Sequence, residues 1–244
     1  MRTILNVAVV LMLVGAGAGR GLADEQQARS IVEKAIKAAG GAEKLSQYKA
    51  ATWTEKGMYY GMGEGVAYTG EYAMQYPDKF RMEIVGVFTT VLDGDKGWLR
   101  MNGQTQELSA EDLAEMKEQT FAGWVTTLLP LTDRQFKLET AGETTINGRP
   151  AAGVKVSSKG HRDVTLYFDA ENNLLVRSET KVKSDEMGGK EVVEEVTYSD
   201  YRDVDGMKHA FKMQIRRDGE KYVETEVAEL RNARSLPADA FAKP

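Results

Sequence analysis

The middle of the chain alternates apolar and polar residues with the period of a β-strand. Between positions 66 and 84, on both sides of Pro77, the large apolar residues are Val66, Tyr68, Tyr72, Met74, Tyr76, Phe80, Met82 and Ile84. Since alternate side chains of a strand point to opposite faces, this pattern predicts two strands of a sheet that has one apolar face and one polar, solvent-exposed face. Tyr and Met suit a surface that adapts to a flexible apolar guest. The alternative is the core face of an ordinary sandwich or barrel.

Strand-like segments continue to the C-terminus, and turn signals such as Asp93-Gly94, Asn147-Gly148, Asp205-Gly206 and Asp218-Gly219 separate them. Helical spacing predicts two helices, over 28–39 and 109–128, with Ser109 as the N-cap of the second. We therefore predict a mainly β protein with about eleven antiparallel strands in one meander. Such a sheet must curl and close or be covered, and the two helices are available to cover one face.

The first 23 residues have the features of a secretory signal peptide. Arg2 gives a positive start, the run 4–14 is apolar apart from Asn6, and small residues lead to a cleavage site near Ala23. A transmembrane anchor is the alternative, but the apolar run is shorter than the roughly 20 residues that span a bilayer. We expect a signal peptide over 1–23, a single domain over 24–244 and a soluble periplasmic location.

Composition narrows the chemistry. The sequence has no cysteine, which excludes disulfides, thiolate nucleophiles and a lipidated mature N-terminus. Removing residues 1–23 removes two arginines and no acid, so the net charge of -5 becomes -7. An acidic exported protein is a poor partner for nucleic acid or anionic lipid head groups. We expect no stable membrane insertion and no nucleic acid partner.

No catalytic or metal-binding motif is apparent. The two histidines, His161 and His209, belong to no metal motif, and Asp93-x-Asp95-x-Gly97 lacks the later ligands of a calcium loop. No G-x-S-x-G elbow is present. We therefore predict that the protein is not an enzyme and uses no cofactor or metal. An enzyme acting on a small apolar or sugar substrate is the minority alternative.

Two local segments resemble the LolA/LolB-like family of outer-membrane lipoprotein-sorting and lipoprotein-carrier proteins. Residues 71–82, EYAMQYPDKFRM, are similar to the family's strand, then Pro, then x-x-Phe, then the next strand. Residues 91–99, VLDGDKGWL, are similar to its apolar-Asp-Gly-Lys-x-x-Trp hairpin, and residues 236–241, LPADAF, are a weaker echo of its closing segment. The lipoprotein carrier itself has a functional Arg just before the Pro, where this chain has Tyr76. That departure argues against coupling of lid opening to lipoprotein cargo.

The resemblance implies an incomplete antiparallel β-barrel with a helical lid over an apolar cavity that accepts acyl chains. Phe80 matches the family's Phe after the Pro. With the residue pattern, the resemblance predicts these cavity-lining, ligand-binding residues: Tyr72, Met74, Tyr76, Phe80, Met82, Ile84, Trp98, Leu113, Met116, Trp124 and Leu128.

Two functions follow as hypotheses. The first is an exported carrier that binds lipid or the acyl chains of lipoproteins, including outer-membrane lipoprotein sorting. The second is an envelope sensor or interaction module of the same fold that binds a partner protein. A partner surface should appear as an exposed apolar patch, whereas a carrier hides its apolar residues inside.

Overall fold

The computed structural model describes residues 16–244 as three α-helices and one large sheet. The helices are α1 (Ala16–Ala38), α2 (Ala42–Gln47) and α3 (Ala110–Thr126). The strands are β1 (Ala50–Tyr59), β2 (Val66–Gln75), β3 (Lys79–Ile84), β4 (Phe88–Asp93), β5 (Lys96–Met101), β6 (Gln104–Glu107), β7 (Lys137–Ile146), β8 (Arg149–Ser157), β9 (Val164–Asp169), β10 (Leu175–Ser184), β11 (Lys190–Val204), β12 (Met207–Arg217) and β13 (Glu220–Ala233).

All thirteen strands belong to one antiparallel sheet that does not close on itself. Its order is β6-β5-β4-β3-β2-β1-β13-β12-β11-β10-β9-β8-β7, so β1 pairs with β13 at the centre, and β6 and β7 are the two edges. The expected incomplete antiparallel barrel is confirmed. The predicted number of about eleven strands is too low, partly because the short, polar β6 carries no apolar alternation.

Several hairpins turn through the Asn-Gly and Asp-Gly pairs that the sequence predicts. At Asn147-Gly148 and Asp205-Gly206, both residues have positive φ. This is the geometry of a type I′ turn, whose twist matches that of the flanking strands. These turns fix the register of the adjacent strands.

The helices α1 and α3 pack against the sheet on the β7–β10 side. Val32 and Ala35 of α1, Phe121 and Val125 of α3, and strand residues such as Leu166 form the main buried cluster. A smaller cluster lies on β2, β4 and β5, where Ala73, Val91 and Trp98 pack with Phe241 of the C-terminal segment. The second cluster lies on the opposite face of the sheet from Met74 and Phe80, and on the concave face the space beside the main cluster is covered by α3 and the chain after it.

Residues 1–15 of the predicted signal peptide lie outside the described residues. Ala16 to Ala23 form the first part of α1, which continues through the predicted cleavage position into the segment predicted to be helical. The division into a signal peptide over 1–23 and a domain over 24–244 stays a prediction. Among the helices of residues 16–244, none is long and apolar enough to cross a bilayer.

Candidate functional site: an apolar cavity under the helical lid

A cavity of about 700 Å³ lies between the sheet and the helices. Its walls come from the three α-helices, β1, β2 and β10–β13, and the short 3₁₀ helix Leu129–Thr132 borders it. The apolar and aromatic residues that line it include Ala35, Leu45, Trp53, Met74, Tyr76, Trp124, Leu128, Leu175, Tyr198, Tyr201, Met207, Met213, Val227 and Leu230. This volume lies within the range of small-molecule binding cavities.

The lid is defined here as α3 with the following 3₁₀ helix. Ser109 caps α3 by accepting a hydrogen bond from the Asp112 N–H at 3.1 Å, which confirms the predicted N-cap. The buried side of α3 is fixed to the core, because the Phe121 ring stacks on Phe136 at 6.1 Å between centroids. Gly123 and Trp124 line the cavity from the same helix.

The ion pairs and hydrogen bonds of the lid differ between its β9–β10 side and its β4–β5 side. On the side of β9 and β10, Glu115 pairs with Arg162 at 2.8 Å, and Glu118 accepts from the Arg162 N–H at 2.9 Å. On the side of β4 and β5, the ion pair is Lys117 with Asp95 at 2.5 Å, and the Asp95 side chain is fully exposed. Exposed ion pairs contribute little to stability. The lid is therefore fixed more firmly to the β9–β10 side.

The buried tyrosines and the histidine of the cavity wall are uncharged, and the charged lining residues Lys49, Asp133 and Lys208 are exposed. The Tyr198 and Ser178 hydroxyls share a hydrogen bond at 2.8 Å, and the Tyr201 hydroxyl donates to the Leu175 carbonyl at 2.6 Å. Burial raises the pKa of Tyr198 to about 12 and that of Tyr76 well above its usual range. Burial also lowers the pKa of His209, so its imidazole is neutral at pH 7. The wall therefore presents a low-polarity surface to a guest.

Further along β1 and β2, the concave face is closed rather than hollow. The Tyr68 and Tyr72 hydroxyls donate to one carboxylate oxygen of buried Glu55 at 2.7 and 2.8 Å, and the Trp53 indole donates to the other at 3.3 Å. The Trp53 and Tyr72 rings stack with centroids 4.8 Å apart. These contacts make one compact polar cluster beside the cavity.

Four of the eleven residues predicted to bind ligand line this cavity. Met74 comes from β2, Tyr76 directly follows that strand, and Trp124 and Leu128 come from the lid. The Tyr76 hydroxyl points to the lid and lies 3.4 Å from the Gly123 carbonyl. Ligand binding by these side chains stays a prediction, and the structure brings the four together.

The other seven predicted residues lie elsewhere. Tyr72 belongs to the Glu55 cluster, and its ring lies 6.4 Å from that of Phe80. Met116 contacts Thr90 of β4, and Leu113 lies beside Gly97 of β5, so the first half of α3 rests directly on the sheet. Trp98 packs on the opposite face with Phe241. The remaining two, Met82 and Ile84, are half-buried on β3 outside the cavity wall.

Several wall residues were not among the predicted set. Trp53, Tyr198, Tyr201 and Met213 come from β1, β11 and β12, which are far from β2 in sequence but meet it across the open barrel. A sequence pattern that could have identified some of them is present in β12. Met207, His209 and Met213 lie at the period-2 spacing of one strand face, and all three line the cavity.

Neither the Asp93–Gly97 segment nor His161 forms a metal site. Asp93 ends β4, Lys96 begins β5, and Gly94 has a φ of 60°, so this segment is a hairpin turn. His161 lies in the β8–β9 connection with its Nδ1 2.9 Å from Glu118. Among the residues that the structure describes, there is no cluster of three or more His, Asp or Glu side chains arranged to hold a metal ion.

Comparison with known proteins identifies the fold. No family model matches the sequence, and no curated protein matches it. Among solved structures, a LolA superfamily protein from Nitrosomonas europaea aligns with a TM-score of 0.57 at 12% identity, covering 88% of this chain and 97% of that one. A DUF1329 family protein from Desulfovibrio piger aligns with a TM-score of 0.61 at 10% identity, covering 88% and 97%.

A domain from Vibrio parahaemolyticus, named as an outer membrane lipoprotein-sorting protein domain, aligns with a TM-score of 0.57 at 11% identity and covers 90% and 97%. The chain thus has the fold of the LolA superfamily. The expected half-open barrel with its helical lid is confirmed at the level of the fold, in a divergent sequence.

Proposed function

We propose that this protein is an exported carrier that holds an acyl chain, of a lipid or of a lipoprotein, in the cavity under the lid. The observation that carries the proposal is the cavity of about 700 Å³ with apolar walls whose tyrosines and histidine are neutral. Burial of each methylene contributes about 0.8 kcal/mol, so a ten-carbon segment contributes about 8 kcal/mol before the entropic costs of binding. Such a guest needs no charged contact.

The fold and the N-terminal sequence support a location in the cell envelope. The similar Vibrio domain is named for outer membrane lipoprotein sorting, and residues 1–23 have the pattern of a signal peptide. In place of the family's Arg, Tyr76 offers the lid only a neutral hydroxyl near Gly123. We therefore place the protein among envelope lipid carriers, with lipoprotein sorting as one form of that activity.

Native mass spectrometry of the protein purified from an envelope fraction tests the carrier. We expect co-purifying lipid, or saturable uptake of added palmitate and of a diacylated lipopeptide. A mass without lipid, together with no uptake of either probe, would contradict the carrier. Comparison of the two probes separates a lipid carrier from a lipoprotein carrier.

The second candidate, an interaction module, is supported by the distribution of exposed apolar residues. Of the eight large apolar side chains that are exposed in the described part of the chain, seven lie at one end of the sheet. They are Met62, Val66, Val85, Val87, Met101, Met187 and Val193. That end is opposite the turns at Pro77 and Met207 that border the cavity. A partner protein is the occupant that this alternative predicts.

Cross-linking in an envelope extract tests the alternative. A photo-reactive residue replacing Met62 or Val87 should trap one defined protein, and the same residue replacing exposed Glu71 should not. Equal labelling from all three positions would remove support for a partner at this end.

A further inference from the structure

A second, smaller pocket adjoins the cavity on the other side of Trp124. Its volume is about 360 Å³, and it lies between the turns at Pro77 and Gly94, the lid, and the β8–β9 connection. Pro77, Trp124 and Gln135 line both spaces, so one wall separates them. Because Asp78, Gln135 and His161 are exposed at its rim, this outer pocket is open to solvent.

The outer pocket differs from the cavity in its chemistry. Besides Phe121 and Phe136, it presents Asp78, Gln135 and Ser158, whose side chains form no hydrogen bond within residues 16–244. Carboxylate, amide and hydroxyl groups together can both accept and donate hydrogen bonds. A ligand group that fits them must do the same.

The charges of the outer pocket disfavour an anionic guest. Lys117 is already paired with Asp95 at 2.5 Å, and the His161 Nδ1 lies 2.9 Å from Glu118. Asp78 has no ion-pair partner among the described residues, which leaves an excess of negative charge. An uncharged, hydroxyl-bearing group therefore suits the pocket better than a phosphate or a carboxylate.

Trp124 lies between the cavity and the outer pocket and offers a hydrogen-bond donor there. Its indole N–H makes no hydrogen bond in the described chain and is not among the fully buried polar atoms, so it is an accessible donor. The carbonyl of an ester, at the point where an acyl chain joins its head group, is an acceptor of the right kind for that position.

Resting on the proposed carrier function, we propose that the preferred ligand is an acylated polyol. Its chain lies in the cavity, and its uncharged hydroxylated head, a glycerol or a sugar, lies in the outer pocket against Asp78, Gln135 and Ser158. The ester carbonyl accepts from the Trp124 indole. The protein thereby selects ligands by head group as well as by chain.

Displacement of a bound fluorescent fatty acid tests the selection, with all probes below their micelle-forming concentrations. The probes are monopalmitoylglycerol, 6-O-palmitoylglucose, palmitate and palmitoyl lysophosphatidate. We expect one of the two uncharged polyol probes to bind at least about tenfold more tightly than palmitate, and lysophosphatidate to bind more weakly than that probe. The better polyol probe distinguishes glycerol from sugar.

Variants of the outer pocket assign the effect. In the double variant Asp78→Ala and Ser158→Ala, the affinity for the polyol probe should fall to that for palmitate, while palmitate binding is unchanged. Lys159→Ala, beside Ser158 but outside the pocket, is the matched control. Equal or tighter binding of palmitate or lysophosphatidate by the native protein would overturn the head-group assignment and leave the carrier intact. Failure of all four probes to displace the fatty acid or to bind would overturn the carrier itself.

Discussion

The concave face of the sheet differs between its two ends. At the end that contains Met74 and Tyr76, the walls are mostly apolar, the hydroxyls of Tyr76, Tyr198 and Tyr201 bond to backbone or to a neighbouring hydroxyl, and about 700 Å³ stays open. At the other end, Glu55 draws Tyr68, Tyr72 and Trp53 together. Both ends are rich in aromatic residues. The difference is that a buried carboxylate organises one end into a compact cluster, and none lies in the wall of the other.

A second cluster makes the closed end polar beyond β1 and β2. Arg217 pairs with Glu194 at 3.0 Å and with Glu186 at 3.3 Å, and its guanidinium lies 3.6 Å from the centre of the Tyr222 ring. Glu186 also accepts from the Tyr59 and Tyr222 hydroxyls at 2.6 and 2.9 Å. The closed end should therefore govern stability, whereas the open end should govern binding.

The largest effect on stability is expected for Arg217→Ala. Removal of the guanidinium leaves Glu194, whose side chain is 18% exposed, without its counter-charge. Breaking a fully buried pair costs about 3–5 kcal/mol, and this partial exposure should reduce the cost to about 2–3 kcal/mol. Chemical unfolding should show this loss. Lys212→Ala is the control, because the Lys212–Glu226 pair is exposed and 3.8 Å long, and its loss should cost less than about 1 kcal/mol. Similar losses for the two variants would contradict the assignment.

Glu55→Gln is expected to cost about 1–3 kcal/mol. The amide keeps one acceptor oxygen but turns an NH₂ group toward hydroxyl and indole donors, so one or more buried partners lose their bond. Fatty-acid affinity should change less than about twofold, because Glu55 lies outside the cavity wall. Glu71→Gln, an exposed position on β2, is the matched control for unfolding. A large loss of binding in Glu55→Gln would show that the two ends are coupled.

Acid should weaken the closed end through Glu186. Burial opposes its ionisation, but bonds from Tyr59, Ser184 and Tyr222 more than offset this and lower its pKa from 4.5 to about 2. Because the folded pKa is below the unfolded one, the stabilisation is present above about pH 4.5 and is lost as the pH falls toward 2. We expect about 1 kcal/mol, since the site is partly exposed. Between pH 5 and pH 2, the free energy of unfolding should fall less steeply with decreasing pH in Glu186→Gln than in the native protein. The same slope in both proteins would show that Glu186 does not cause the acid sensitivity.

The smallest effect is expected for Tyr76→Phe. Its hydroxyl lies 3.4 Å from the Gly123 carbonyl, a long hydrogen bond, so its loss should cost about 0.5 kcal/mol. The ring, which forms the cavity wall, remains. Acyl-chain affinity measured by titration should stay within about twofold, and a tenfold change would mean that the hydroxyl controls the lid.

The sequence predicts the strands, their turns and the start of α3 because these features depend on local periodicity and local capping. It does not predict which part of the apolar face of β2 stays open. Tyr72 and Met74 lie on the same face of β2. Tyr72 nevertheless stacks on Trp53 and does not line the cavity, because Glu55 on the neighbouring strand accepts a hydrogen bond from its hydroxyl. That outcome depends on the pairing of β1 with β2.

The sequence also does not predict which part of the lid rests on the sheet and which part borders the cavity. Leu113, Met116 and Trp124 follow one helical stripe, but the sheet curves beneath them. Leu113 rests beside Gly97, while Trp124, further along the helix, borders the cavity. Trp98 is on the other face because it pairs with Val91, in register with Ala73 rather than with Met74, and the C-terminal Phe241 covers it there. Such contacts join segments that are far apart in the chain.

The most direct test of an acyl chain in the cavity uses Gly123, which lines it from the lid. A β-carbon at this position would have only the Met74 methyl nearby, at 3.9 Å, so Gly123→Leu should extend into the empty space. Replacing a helical glycine also favours the helix by up to about 1 kcal/mol, so the variant should be at least as stable as the native protein.

The measurement is palmitate affinity in Gly123→Leu and in Ala114→Leu, the same side chain at an exposed position of α3. We predict at least about tenfold weaker binding for Gly123→Leu, an unchanged affinity for Ala114→Leu, and no loss of thermal stability in either. Native affinity in a folded Gly123→Leu protein would contradict the central claim that the acyl chain occupies this cavity.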